Sequence, residues 1–113
     1  MKGKTDMPAV YRQGDVLIVA TDSIPKSVEP VVRDKDRVVL AYGEVTGHAH
    51  AILDKRASLF RDPKLAKIFM LVGGDGPVAL THEEHSTVNI PPGKYEIRHQ
   101  REYSPEAIRR VAD

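Results

Sequence analysis

Cysteine is absent from the 113 residues. Disulfides, thiolate zinc sites and cysteine nucleophiles are thereby excluded, which leaves imidazole and carboxylate as the ligands for any metal. No apolar run approaches the ~20 residues that a membrane helix needs. The first six residues also lack the apolar core of a secretory signal, so we expect a cytoplasmic protein with no membrane partner. Surplus charge is missing as well: 17 Lys and Arg face 16 Asp and Glu, a net +1, with no basic arm or acidic tail. Bulk electrostatics therefore offer nucleic acid and membranes no particular attraction. What is present is an ordinary globular composition, 41% hydrophobic and 29% charged with both signs mixed. A chain of this length makes one domain and can bury roughly two-thirds of its unfolded surface.

Residues 1–10 read as a flexible N-terminus and 11–113 as a single β domain. Short apolar runs bounded by Gly, Pro and Asp favour strands over helices. Runs at 15–20, 37–42, 66–72, 78–82 and 87–90 have this form. Residues 94–101 alternate, with Tyr95, Ile97 and His99 on one face and Lys94, Glu96 and Arg98 on the other. A further strand is expected across 48–53 and a short one at 58–61, while the charged stretch 26–37 reads as a loop. Only the end looks helical, with Ser104 as N-cap, Pro105 in the first position and Glu106 complementing the dipole. The expected fold is mainly β: a small β-barrel or jelly-roll sandwich of seven to eight short strands with a short C-terminal helix.

Four of the five histidines fall in two close pairs. In a strand, His48 and His50 point to the same side and present two imidazoles together, as a divalent transition metal requires. His82-Glu83-Glu84-His85 supplies a second pair at a strand end. Should the two segments be neighbours in a sheet, three or four imidazoles meet. The expected ligands are therefore His48, His50, His82 and His85, around zinc, nickel, iron or manganese. Glu83, Glu84 and Glu44 are the candidate proton acceptors for metal-bound water. The three-residue spacing of the second pair is not the His-Glu-x-x-His of helical zinc proteases. His99, beside Tyr95 and Ile97, reads as a hydrogen-bonded core residue.

Gly43, followed after four intervening residues by His48-Ala49-His50 and after three more by Asp54, resembles the first motif of the cupins, with Asp54 where that family has Glu. Pro91-Pro92-Gly93-Lys94-Tyr95-Glu96 resembles part of the second motif, with Glu96 where the family has its last histidine. The resemblance implies a small jelly roll holding a metal on His48, His50, Asp54 and Glu96, with His82 and His85 peripheral. His48 and His50 belong to both versions of the site.

The reading from sequence is a small histidine-rich metal-binding β protein, with the question of an enzyme acting on a small-molecule substrate left open. The alternative is a non-catalytic structural module, its histidines stabilising the fold or a homo-oligomer contact through the apolar strands at 15–20 and 66–72. Nucleic-acid binding by Lys94, Arg98, Arg101, Arg109 and Arg110 with Tyr95 and Tyr103 ranks last, because four acidic residues lie among them.

Overall fold

The computed structural model describes residues 9–43 and 47–100. Within them the chain forms ten strands: β1 (Val10–Gln13), β2 (Val16–Ala20), β3 (Glu29–Pro30), β4 (Val38–Tyr42), β5 (Ala49–Ile52), β6 (Ala57–Asp62), β7 (Lys67–Val72), β8 (Val78–Thr81), β9 (Val88–Ile90) and β10 (Gly93–His99). Six of them make one antiparallel sheet in the order β1-β2-β10-β7-β6-β3, and four make a second in the order β4-β5-β8-β9. The mainly-β expectation holds. A closed barrel does not: among the described residues the strands divide into two sheets. The expected C-terminal helix lies outside the described residues, as do most of the N-terminal residues. No helix among the described residues is long and apolar enough to cross a membrane.

Two elements escape the periodicity reading. β1 is an edge strand carrying Arg12 and Gln13, so it shows no apolar run; β3 is only two residues long within the charged stretch. The turn between β1 and β2 is Gly14-Asp15, a two-residue hairpin connection that brings Gln13 opposite Val16.

The core lies between the sheets and follows the period of two. Val16, Ile18, Ala57, Leu59, Met70, Val72, Tyr95 and Ile97 come from the larger sheet; Val38, Leu40, Ile52, Val78, Leu80 and Ile90 come from the smaller. Truncating any of the large aliphatics here would remove contacts on every side of the residue, at a cost of about 2–5 kcal/mol. Tyr95 keeps its ring in the core and satisfies its hydroxyl by donating to Pro91 O at 2.6 Å.

Candidate functional site

Along several strands, the inward-facing positions change chemistry toward one end of the sandwich. In β5, Ile52 is succeeded on the same side by His50, and just beyond the strand by His48. In β8, Val78 and Leu80 are succeeded by His82; in β10, Tyr95 and Ile97 by His99; in β1, Tyr11 by Gln13. Aliphatic side chains thus give way to imidazoles and an amide where the core opens into a cleft of about 310 Å³. All five histidines line it, together with Gly14, Asp15, Tyr42 and Glu84.

Strand pairing explains the convergence. β5 and β8 are antiparallel neighbours, with Ile52 opposite Leu80 and Ala51 opposite Thr81. One step further along this register places His50 beside His82, with ring centroids 4.3 Å apart. His82 sits among the others, 4.7 Å from His85 and 5.7 Å from His48 by ring centroid, and His50 lies 5.7 Å from His85. Gly14 closes one side. Its φ of +58° is a conformation natural to glycine, and a Cβ there would come within 2.8 Å of His85 Nε2 and 3.3 Å of His50 Cε1.

The carboxylates are anchored around the rings. Glu83 Oε1 accepts the Ala49 N–H at 3.0 Å. This bond, its own N–H and the nearby His48 and His82 rings hold the Glu83 carboxyl below the usual carboxylate range. Glu84 Oε2 stands 3.6 Å from His48 Nδ1, and the Glu84 N–H donates to His82 Nδ1 at 3.0 Å. His82 is therefore tied to its own turn, and a metal bound through Nδ1 would have to replace that N–H. One ligand atom each from His48, His82 and Glu83 lie within 4.8 Å of one another. That geometry could hold a divalent ion with two imidazoles and one carboxylate.

Burial is uneven. His50 is 7% exposed, whereas His48 and His82 are half-buried and His85 is exposed. Desolvation, followed by the proximity of His82 and His85, lowers the His50 pKa to about 4, which keeps the ring neutral. Its Nδ1 lies 2.8 Å from Gln13 Oε1, and the Gln13 amide donates in turn to Leu80 O and Ser86 O, each at 2.9 Å.

The structure therefore brings His48, His50, His82 and His85 together with Glu83 and Glu84, and Glu44 lies outside the described residues. His99 is half-buried at the cleft rather than enclosed in the core, because the β10–β2 register sets it opposite Val16 at the end of the aliphatic layer. Gln13 and Gly14 were missed from sequence. The available signals were a Gly-Asp hairpin dipeptide and an amide at an inward-facing parity.

A family model described as Domain of unknown function (DUF8820) matches residues 12–100. The chain belongs to this family. The match takes in every histidine and the Gln13-Gly14-Asp15 turn. No curated protein and no solved structure matches the chain. The cupin resemblance is thereby corrected: the family that matches is another one, and the two ligands that only the resemblance implied are engaged elsewhere. Asp54 forms a bidentate pair with Arg56, with contacts of 3.0 and 2.8 Å. Glu96, flanked by core-facing Tyr95 and Ile97, pairs on the opposite face with Arg98 at 3.1 Å and Lys67 at 3.9 Å. Asp54 and Glu96, each standing where the cupins carry a different residue, already depart from that family's motifs in the sequence and agree with this correction.

Proposed function

We propose that this domain binds a divalent transition metal in the imidazole cleft and uses its open side for a small-molecule substrate. The observation carrying this reading is the approach of His48, His82 and Glu83 to within 4.8 Å of one another, where both imidazoles line a cleft shared with three more. Two imidazoles and a carboxylate leave coordination positions vacant, as catalytic sites do, and suit iron, zinc, nickel or manganese. Such an ion, when bound, supplies polarisation of a substrate oxygen or a more acidic bound water. The chain's own part is to hold the ligands in place, and Glu84, exposed beside His48, is placed to take a proton; Glu44 is a second candidate by sequence. A cytoplasmic setting, with which a chain lacking cysteine is compatible, belongs to the same proposal.

Elemental analysis of untagged protein, with His48→Ala and His82→Ala variants, tests the reading. Near-stoichiometric metal that falls away in both variants is the expected result. Metal-free protein that takes up none of the four ions, and whose melting temperature is indifferent to EDTA, would overturn it in favour of the structural module.

A further inference from the structure

His50 is the most buried of the imidazoles, yet the close trio of ligand atoms does not include it. Its surroundings single it out. Gln13 is 2% exposed and enters from the larger sheet, while its amide N–H groups donate across the sandwich to Leu80 O of β8 and to Ser86 O in the turn after it. Both amide hydrogens are thereby used on carbonyls, which can only accept. Turning the amide over would set its oxygen against those two carbonyl oxygens, so the oxygen must be the atom facing His50 Nδ1 at 2.8 Å. An oxygen acceptor there demands a proton on Nδ1. In the neutral ring the lone pair is then on Nε2, and the ring lines the cleft beside His82.

We infer that Gln13 is a positioning residue that holds His50 as the Nδ1–H tautomer and so presents Nε2 as a further metal ligand. The ligand half of this statement rests on the metal reading above; the tautomer half does not. An ion ~2.0–2.1 Å from each ligating nitrogen allows two ring centroids to lie up to ~6 Å apart, and the His50 and His82 rings, at 4.3 Å, fall inside that limit. A neighbouring acceptor that fixes the tautomer of a ligating histidine commonly accounts for 10–100-fold in affinity, on the order of what its removal costs. His82 differs in this respect. Its Nδ1 accepts the Glu84 N–H, so neutral His82 carries its proton on Nε2. Of these two neighbouring rings, His50 alone is already in the tautomer suited to ligation through Nε2.

Long-range ¹⁵N–¹H correlation spectra of the metal-free protein read the tautomer directly, and zinc titration reads the ligand. In the unaltered chain His50 is expected as Nδ1–H. Gln13→Met, which keeps the length and removes the acceptor, should shift His50 toward Nε2–H and weaken zinc binding about 10–100-fold. Gln13→Glu restores an acceptor oxygen and should restore the tautomer, even where stability falls. This variant also covers the case in which Gln13→Met fails to fold. Finding His50 as Nε2–H in the unaltered protein overturns the inference whatever zinc does. So does a folded Gln13→Met variant with the tautomer and zinc affinity unchanged. Protein that shows the Nδ1–H form but takes up no zinc would instead sink the metal reading, and with it the ligand role of His50.

Discussion

Replacing Gly14 by alanine should damage both the hairpin and the cleft, and the two effects can be separated. The first is backbone strain: φ is +58° at this position, and a left-handed conformation costs an L-residue with a Cβ roughly 1–2 kcal/mol. The second is contact with the rings. The new Cβ would stand 2.8 Å from His85 Nε2 and 3.3 Å from His50 Cε1. His85 is exposed and can swing outward, but His50 is buried and bonded to Gln13, so it has to give by a few tenths of an ångström against a held partner. A loss of about 1–2 kcal/mol corresponds to a fall in melting temperature of about 5–10 °C for a domain of this size. Gly47→Ala is the control: φ is +88° there, and a Cβ would meet nothing within 4 Å. Thermal and urea unfolding should show a loss in both variants, whereas the imidazole resonances of His50 and His85 should move only for Gly14→Ala. Equal stability of Gly14→Ala and the unaltered chain, or identical imidazole spectra, would refute the placement of this turn against the rings.

Zinc at a hundredfold excess over its dissociation constant should raise the stability of the unaltered protein by about 2.7 kcal/mol, and His82→Ala should abolish most of that gain; calorimetry with and without EDTA is the check. In metal-free protein, His50 imposes a pH dependence. Its pKa is about 4 in the folded state against an ordinary 6.5, so the unfolded chain takes up a proton that the folded one refuses. The contribution is complete above pH 6.5 and is lost progressively as the pH falls through about 4. The shift corresponds to about 3 kcal/mol at most, and water in the open cleft reduces it to about 1–2 kcal/mol. Urea melts across that range should therefore flatten in His50→Asn. Ile52→Ala, at a fully buried position in the same strand as His50, should cost about 2–5 kcal/mol; a loss below about 1 kcal/mol in equilibrium unfolding would contradict its place in the core.

What could be read from sequence and what could not divide along a physical line. The β class, most of the strands and the shared face of His48 and His50 follow from side-chain alternation, which is a property of neighbouring residues. The same alternation carries Tyr95 and Ile97 into the core. It also misled: His99 continues their parity, but the aliphatic layer ends before it, and nothing local marks where a core stops. Asp54 and Glu96 likewise matched a motif by spacing, yet spacing is silent about Arg56, Arg98 and Lys67, which engage them.

The sequence by itself determined that this is a β protein without thiols, with one imidazole pair at strand spacing and a second pair just past a strand end. Tertiary structure alone decided that β5 lies against β8, that His99 joins the four paired histidines, and that Gln13 reaches from the other sheet to hold His50. The alternation of side chains is set residue by residue, whereas strand partners are chosen by how the whole chain buries its apolar faces, and a site made at their meeting exists only once that choice is made.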